Sequence, residues 1–366
     1  MDSDLKAISS QFEVQGNFLE AVPYGGGHIN DTYLVSLRQS GGDVRRLVLQ
    51  RINQAVFHKP EEVMDNIERV SAHLQAKAFL AGKDPLRHAI RLVMTRDGRS
   101  FYRSEGGEIW RMMYFIEGAQ TYQRAQNPQH NYHAAKAFGE FLHDLSDYPA
   151  GDLHVTIPNF HHTPKRFQAF LQALESDRVN RAQGAMAEIE FVLAREKDTG
   201  KLVDLVDKGW MPERVTHNDT KIDNVMIDDR NGEGVCVIDL DTVMPGLVVF
   251  DFGDTVRSGS NQAAEDEIDV NKVVFDLSVF DHLARGFLEA TRDWLTPVEI
   301  KHLAFGARLI TLEQGIRFLT DYLNGDTYYK THWPEQNLAR TRTQLKLVAE
   351  MEHNLALMES IIVKYR

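Results

Sequence analysis

The fold of this chain is decided by residues 215–254, which read VTHNDTKIDNVMIDDRNGEGVCVIDLDTVMPGLVVFDFGD. Asp219 lies two residues after His217, and Asn224 lies five residues after Asp219. Asp239 ends an apolar run later in the same stretch. A single HxD triplet would fit an ordinary acidic turn with a capping aspartate. The complete ordered set, with apolar segments between its members, instead indicates a site that carries out chemistry.

Two β-branched segments on either side of Asn231-Gly232 predict a β-hairpin. The strands are VMI at 225–227 and VCVI at 235–238, and Asn-Gly is the strongest short-range hairpin signal. If this dipeptide centres the turn without a bulge, Asn224 lies directly opposite Asp239. Directly opposed residues hold their Cβ atoms roughly 5 Å apart, so two oxygen ligands can converge on one Mg²⁺. A metal site is therefore predicted at the open end of the hairpin.

Asp219 precedes this hairpin, on a loop that follows a short predicted strand at 214–216. A carboxylate at that place can accept the proton of an attacking hydroxyl while a metal ion gathers the phosphates of a nucleotide. The pattern predicts phosphoryl transfer, with Asp219 as the base and with Asn224 and Asp239 as metal ligands.

Length and composition indicate a globular protein with two lobes. The chain has 366 residues, of which 43% are hydrophobic and 26% are charged, and single cores stop growing at roughly 250 to 300 residues. The formal net charge of -12 argues against a nucleic-acid or anionic-membrane partner, because clustered Lys and Arg carry such affinity. A bound nucleotide would need a metal ion and local basic groups to offset this charge.

The cysteine content and the N-terminal sequence predict a cytoplasmic enzyme. Cys236 is the only cysteine, which excludes an intrachain disulfide, and its place between valines predicts a small core residue. The opening MDSDLKAISSQFEV is polar and acidic, unlike a signal peptide. No stretch approaches the roughly 18 consecutive apolar residues of a membrane span.

Predicted strands come early in the chain and predicted helices come late, which indicates an α+β fold. We predict an N-terminal lobe over 1–116, built on an antiparallel sheet of about five strands, and a larger, mainly helical C-terminal lobe over 117–366. An opening helix near 5–12 and a helix at 60–81 belong to the first lobe. Its strands are predicted after the turn at 24–30 and at 46–51, 89–94 and 110–115. The helices of the second lobe are predicted at 133–145, 165–174, 182–195, 272–291, 297–323 and 340–363.

A glycine turn, defined here as residues 24–30, precedes the first of these strands. It contains Gly25, Gly26 and Gly27, which permit backbone amides to approach phosphates closely. A plain hairpin is the alternative. On the helix at 60–81, Glu68 is a candidate partner for a phosphate-binding cation, and a solvated helix face explains it equally well.

At these residues the chain resembles the aminoglycoside phosphotransferase and choline kinase superfamily, whose bilobal fold is similar to that of protein kinases. Within it, the outer blocks resemble the N-acetylhexosamine 1-kinase family. That resemblance implies ATP as co-substrate, Mg²⁺ as cofactor and a sugar as acceptor, phosphorylated on its anomeric C1 hydroxyl. The resemblance spans nearly the whole chain, and its blocks are YGGGHINDTYLV from Tyr24, FHHTPKRF from Phe160, RVTHNDTKIDNVMID from Arg214, VIDLDTVMPGLVVFDFGDTVR from Val237, GIRFLTDYLNGDTYY from Gly315 and NLARTRTQLKLVAEME from Asn337.

The resemblance assigns roles to single residues. Asp219 matches the catalytic base, and Asn224 and Asp239 match the magnesium ligands. His217 matches the residue that braces the catalytic loop. Asp241 is a further carboxylate nearby, either in the surroundings of the metal or purely structural.

The chain departs from the protein-kinase-like pattern on the third predicted strand, where that pattern has a lysine. Gln50 stands at this position and Arg51 follows it, so Arg51 is the candidate substitute for the phosphate-binding cation. The hexosamine kinase branch is similar in lacking the lysine. The residues that match the inter-lobe hinge, where adenine would bind, are Tyr114, Phe115, Ile116 and Glu117; a core strand that simply ends there is the alternative.

The resemblance also points to residues for the sugar. Arg317 and Tyr328 lie in the late helical block, and His28 and Asn30 lie in the glycine turn. A helix-surface salt bridge between Arg317 and Asp321 is an equal alternative for Arg317. Four histidines lack Cys or carboxylate partners in the sequence and are predicted to be surface or packing residues: His130, His133, His161 and His162.

Two other functions stay open at this stage. A kinase of the same fold could act on another sugar, choline, homoserine or an aminoglycoside. A nucleotide-binding pseudokinase is favoured by the missing lysine and disfavoured by the intact set of Asp219, Asn224 and Asp239. The sequence does not determine the oligomeric state, the nucleotide preference or the choice between gluco and galacto epimers.

Overall fold

A computed structural model describes residues 2–25 and 29–366 of the chain. Its strands are β1 (Asn17–Pro23), β2 (Asp31–Arg38), β3 (Val44–Arg51), β4 (Leu92–Val93), β5 (Tyr102–Arg103), β6 (Ile109–Tyr114), β7 (Ala119–Gln120), β8 (Arg214–Thr216), β9 (Val225–Asp228), β10 (Gly234–Val237) and β11 (Met244–Gly246). Its helices are α1 (Asp2–Ser9), α2 (Pro60–Leu80), α3 (Pro85–His88), α4 (Pro128–Asp144), α5 (Thr163–Ser176), α6 (Met186–Leu193), α7 (Glu196–Thr199), α8 (Lys201–Asp207), α9 (Val248–Gly259), α10 (Leu277–Thr291), α11 (Pro297–Leu323), α12 (Gln336–His353) and α13 (Leu355–Tyr365). The predicted α+β fold class is confirmed.

An antiparallel sheet forms the N-terminal part, in the order β1-β2-β3-β6-β4, with β5 pairing with β6. The strand β3 reads VRRLVLQR and alternates between two faces. Leu47 and Leu49 pack into a core with α1 and Phe12, which leaves Gln50 on the other face. The strand β1 was not predicted from the sequence, because its apolar alternation is weak. Only Ala21 is buried in it.

The helix α2 covers the predicted range of 60–81 almost completely. Pro60 stands in its first turn, and Val63, Ile67 and Val70 are buried at helical spacing. Asn66 on the same helix donates to the Val243 carbonyl at 3.0 Å, within the C-terminal part. This contact ties α2 to the segment that follows the predicted hairpin.

The C-terminal part is mainly helical, with α4 packed on α10, and α11 packed on α9 and α12. The predicted helix at 297–323 is confirmed in full as α11. The one predicted at 340–363 is divided at Asn354, whose side chain donates to the Glu350 carbonyl at 2.9 Å and so competes with the helical ladder. The one predicted at 272–291 begins later, at Leu277, because Asp276 caps it.

Two small sheets position the candidate site, one with the order β10-β9-β7 and one that pairs β11 with β8. The predicted lobe boundary after residue 116 lies between β6 and β7 and stays a prediction. Across residues 2–25 and 29–366, the helices are all too short or too polar to cross a membrane.

Candidate active site

The loop after β8, here called the HND loop, consists of His217, Asn218 and Asp219. Asn218 has a φ of 65°, in a region that asparagine tolerates better than most residues. The Asp251 carboxylate, in the first turn of α9, accepts hydrogen bonds from the N–H groups of His217 (2.7 Å) and Asn218 (2.8 Å). Burial raises the pKa of Asp251 to about 7, although these donors act to lower it. The loop is thereby held in one shape that presents Asp219.

His217 is fully buried and links Asp219 to the end of β10. Its Nε2 donates to the Ile238 carbonyl (2.9 Å), and its Nδ1 accepts from the Asp219 N–H (3.3 Å). Burial lowers the pKa of His217, and a neutral imidazole has the one donor and the one acceptor that these bonds need. Phe138 and Phe141 pack against the ring. His217 thus lies where a brace for the HND loop would lie.

Asp219 is only partly buried, and hydrogen-bond donors surround its carboxylate. Asn224 Nδ2 donates to its main-chain oxygen (2.8 Å) and to Oδ2 (3.3 Å), and Lys221 Nζ lies 3.3 Å from Oδ2. Burial acts to raise the pKa of Asp219, but the positive charges of Lys221 and Arg257 outweigh it and hold the pKa below its ordinary value. Asp219 is therefore ionised at neutral pH and can accept a hydrogen bond from a hydroxyl.

The hairpin formed by β9 and β10 differs from the prediction in its register. A β-bulge interrupts the pairing, and the loop holds four residues, 229–232, instead of Asn231-Gly232 alone. Asp228 lengthens this loop by accepting from the Arg230 N–H at 2.8 Å, a local side-chain turn that strand periodicity does not reveal. The prediction that Asn224 lies directly opposite Asp239 is wrong, because Asn224 faces the residue before Asp239.

Asp239 has a φ of 61° and opens to the cleft beyond the bulged strand. Burial, Asp241 and Asp219 raise the pKa of Asp239 to about 7, against an opposing effect of Arg111. A cation would relieve this crowding of carboxylates. Because Asn224 gives its Nδ2 to Asp219, its Oδ1 is left for a ligand. The two side chains fit a magnesium ion whose other ligands are phosphate oxygens and water.

A buried arginine lies beside the position of the missing lysine. Arg111 on β6 pairs directly with Gln50 across the sheet, and its Nε donates to Gln50 Oε1 at 2.9 Å. Its guanidinium forms an ion pair with Asp241. Asn30, at the end of the glycine turn, donates to the other carboxylate oxygen of Asp241 at 2.5 Å. Asn30 is therefore hydrogen-bonded to Asp241, and the Arg111 guanidinium lies between Gln50 and Asp241.

Arg51, the predicted phosphate-binding cation, lies on the opposite face of β3 from Gln50 because strand side chains alternate. It pairs with Asp31 and, at 2.5 Å, with Glu108. It also lies over the ring of Trp110. These contacts direct Arg51 away from Arg111 and Asp241.

The other residues predicted to act at the nucleotide are Glu68 and those of the glycine turn. Glu68 is exposed on α2, and among the described residues it has no ion-pair partner. This agrees with the alternative of a solvated helix face. Gly25 has a φ of 80°, a conformation that favours glycine. Gly26, Gly27 and His28 lie outside the described residues.

The predicted hinge connects β6 to β7 and consists of Tyr114, Phe115, Ile116 and Glu117. The Phe115 ring packs against Tyr24 at 5.9 Å and beneath the Arg46 guanidinium at 4.2 Å. Glu117 pairs with the same arginine, and Ile116 packs on the main core. This contact brings Tyr24, the first residue of the glycine turn, to the predicted hinge.

Arg317 lies in a recess lined by aromatic rings. Its guanidinium lies over Phe160 (5.2 Å) and Tyr329 (5.7 Å) and donates to Gln314 at 3.1 Å. Burial acts to lower the pKa of Arg317, but the neighbouring tyrosines Tyr329 and Tyr328 outweigh it and raise the pKa. We call Phe160, Arg166, Arg317 and Tyr329 the acceptor recess.

The alternative of a salt bridge between Arg317 and Asp321 is wrong. The Asp321 carboxylate accepts instead from the backbone N–H groups of residues 327–329 and from Asn337. These bonds fix the loop that carries Tyr328, whose side chain is 61% exposed. Asp321 therefore shapes the border of the acceptor recess through the backbone.

His161 is a buried part of the site, so its prediction as a surface or packing residue is incomplete. Its Nε2 donates to the Asn218 carbonyl (2.8 Å), and its Nδ1 donates to the Glu313 carboxylate (2.9 Å). Burial acts to lower the pKa of His161, but Glu313 outweighs it and raises the pKa. His161 thereby connects the HND loop to Phe160 in the acceptor recess.

Sequence reasoning missed four residues of this region: Arg111, His161, Lys221 and Asp251. Two of them carried a usable signal. Arg111 is the single charge within the apolar strand IWRMMY, and Asp251 is the single charge within the apolar run VVFDFG that begins α9. His161 had none, because its partner Glu313 is 152 residues away.

Comparisons with known proteins agree with this geometry. The family model described as APH, phosphotransferase enzyme family, matches residues 20–286. An aminoglycoside phosphotransferase from Alicyclobacillus acidocaldarius has a TM-score of 0.61 at 13% identity, covering 98% of this chain and 96% of its own. A Plasmodium vivax ethanolamine kinase has a TM-score of 0.55 at 14% identity, covering 90% and 82%. An amicoumacin kinase in complex with AMP-PNP, Ca²⁺ and Ami has a TM-score of 0.56 at 12% identity, covering 96% of both chains.

At these identities the solved structures establish the fold alone, which is the protein-kinase-like fold of these phosphotransferases. The family match carries more, because it covers well over half of the chain and includes the HND loop and the hairpin. This chain is a small-molecule phosphotransferase and belongs to the phosphotransferase enzyme family.

Proposed function

We propose that this protein is an ATP-dependent kinase that phosphorylates the anomeric C1 hydroxyl of an N-acetylhexosamine, either N-acetylglucosamine or N-acetylgalactosamine. The supporting observation is the convergence of Asp219, Asn224 and Asp239 in one cleft, connected through His161 to the acceptor recess. The outer sequence blocks, which include Phe160 and Arg317 of the acceptor recess, are those that resemble the hexosamine kinases.

The residues of this chain divide the work of an in-line transfer. Asp219, ionised, accepts a hydrogen bond from the acceptor hydroxyl and takes its proton as the oxygen bonds to the γ-phosphorus and the β,γ-bridging bond breaks. Asn224 and Asp239 would hold Mg²⁺, which supplies charge neutralisation on the phosphate oxygens when bound. Lys221, whose pKa Asp219 raises, adds a positive charge beside the reacting groups.

The acceptor recess favours a neutral sugar over a cationic acceptor. Arg166 donates to the Phe160 carbonyl at 3.0 Å, and burial together with the nearby Arg317 lowers its pKa. Two guanidinium groups in one recess would repel choline, ethanolamine or an aminoglycoside. An acetamido carbonyl and sugar hydroxyls can accept hydrogen bonds from them.

A coupled ADP-release assay with Mg-ATP tests the proposal. The acceptors are N-acetylglucosamine, N-acetylgalactosamine, the parent hexoses, choline, homoserine and an aminoglycoside, and NMR assigns the phosphate position. We expect turnover with an N-acetylhexosamine and phosphate on C1. Turnover with another acceptor alone would refute the sugar assignment, and nucleotide binding without any turnover would identify a pseudokinase.

Arg317→Ala tests the acceptor recess separately. Loss of its hydrogen bonds should raise KM for the sugar by about tenfold or more, with KM for ATP little changed. Arg342→Ala is the matched control, because that arginine pairs with Glu188 outside the recess. An unchanged sugar KM in Arg317→Ala would exclude this arginine from the acceptor site.

A further inference from the structure

Arg111 is a buried charge with defined partners. Its side chain is 2% exposed, and an unpaired guanidinium at this depth would be strongly unfavourable. Gln50 accepts from its Nε and in turn donates to Thr32 on β2 at 2.9 Å. Two neighbouring strands therefore hold Arg111 in position, and its free end points to Asp241.

Asp241 uses both carboxylate oxygens within the protein. Arg111 bonds Oδ1, and Asn30 donates to Oδ2 at 2.5 Å. Asn30 is itself fixed, because its Oδ1 accepts from the Asn53 N–H at 3.0 Å. The residue after Asp241, Thr242, donates to the carbonyl of His217 at 2.7 Å. A continuous chain of bonds thus runs from the end of the glycine turn to the HND loop.

We propose that Asn30, Asp241 and Arg111 form a latch that holds Asn30, the residue directly before β2, on the segment between β10 and β11 that carries Asp241. In this arrangement Arg111 provides the cation that the third strand lacks, and it acts through Asp241. The protein-kinase-like pattern uses an ion pair between a strand lysine and a helix glutamate for such positioning, and here Glu68 on α2 is exposed. The effect of the latch on nucleotide binding rests on the proposed function, whereas the latch itself does not.

The latch gives Asp241 a positioning role and leaves the metal to Asn224 and Asp239. A carboxylate whose two oxygens already accept from a guanidinium and an amide is satisfied. The Asp239 side chain, by contrast, is exposed. Removing the charge of Asp241 should therefore release Asn30, while magnesium binding changes far less than it does when Asp239 is replaced.

Backbone hydrogen exchange without nucleotide tests the latch directly. In Asp241→Asn and Arg111→Met, amides of residues 29–33 should exchange about tenfold faster or more than in the wild type. Arg103→Met is the matched control, because Arg103 lies on the same sheet, is exposed and pairs with Glu61. Unchanged exchange in both latch variants would overturn the latch. If either variant fails to fold, Asn30→Ala removes one contact and provides the same comparison.

Kinetics then separate positioning from metal binding. Asp241→Asn should raise KM for ATP by about tenfold or more and should raise half-saturation by Mg²⁺ far less than Asp239→Ala does, because it removes a nearby charge but no ligand. The double variant with Arg111→Met should have a KM for ATP no higher than that of the more impaired single variant. A higher magnesium requirement, as in Asp239→Ala, would make Asp241 a metal ligand and overturn its positioning role. If the wild type neither binds nor turns over Mg-ATP, the proposed function fails and the exchange result alone decides the latch.

Discussion

Asp219 and Asp239 are aspartates in the same cleft, yet their neighbours shift their pKa values in opposite directions. Lys221 and Arg257 outweigh burial at Asp219 and hold its pKa low, whereas burial and Asp241 raise the pKa of Asp239 to about 7. The first carboxylate is therefore ready to accept a hydrogen bond, and the second gains from a cation. Local charge therefore distinguishes the proposed base from the proposed metal ligand.

Asp219→Asn should fold and bind Mg-AMP-PNP but lose turnover by roughly 10²- to 10⁴-fold, because an amide cannot take the proton. Calorimetry measures nucleotide binding, and the coupled ADP-release assay measures turnover. Asp223→Asn is a suitable control, since that acid lies in the short helical turn between the HND loop and β9, and burial raises its pKa. Turnover close to wild type in Asp219→Asn would contradict the assignment of the base.

Because the pKa of Asp239 is raised, we expect metal binding to depend on pH. Since its pKa is raised to about 7, Mg²⁺ must displace a proton below that pH, so affinity should rise with pH and level off above about 7. Metal-free protein should lose stability as pH rises from about 4 to about 7, because the folded state keeps a proton that the unfolded state releases. Calorimetry in buffers of different ionisation enthalpy measures the released proton, which Asp239→Asn should abolish.

The helix α9 connects core packing to the site at the scale of elements. Its Asp251 holds the HND loop, and its Gly253 lies against α11, where an added Cβ would meet the Gly306 carbonyl oxygen at 2.8 Å. A Cβ on Gly306 would meet the Val249 carbonyl oxygen at 2.5 Å. These two glycines allow α9 and α11 to cross closely, and this crossing fixes the position of Asp251.

Gly306→Ala should lower the free energy of unfolding by about 1 to 3 kcal/mol through overpacking, despite the better helix propensity of alanine. Urea unfolding measures the change, and turnover should fall with it as α9 shifts. Gly151→Ala is the control, because nothing lies within 4 Å of its added Cβ. Equal stability of Gly306→Ala and wild type would show that the crossing tolerates a methyl group.

The whole molecule carries a formal net charge of -12, so a nucleotide approaches against a repulsive background. Local cations and a metal ion must offset it. Mg-AMP-PNP at about 100 times its Kd should therefore stabilise the protein by about 2.7 kcal/mol, whereas AMP-PNP with EDTA should stabilise it far less. Thermal unfolding compares the two, and equal stabilisation without metal would contradict a metal-dependent site.

The sequence by itself determined the α+β class, the long helices α2 and α11 and the strands of the hairpin. These features depend on apolar periodicity and on Pro, Asn and Gly signals within a few residues, which is why they could be predicted locally. The order of Asp219, Asn224 and Asp239 also pointed to one site before any geometry was known, although their roles stay predictions.

Only the tertiary structure decided which charges meet. The register that moves Asp239 depends on the loop with its side-chain turn at Asp228 and on a separate bulge in β10. The choice of Arg111 over Arg51 depends on which face of the sheet Asp241 contacts. The pair of His161 and Glu313 joins residues far apart in the chain. Periodicity reports which side chains are buried, but partners distant in sequence are brought together only when the helices and strands pack.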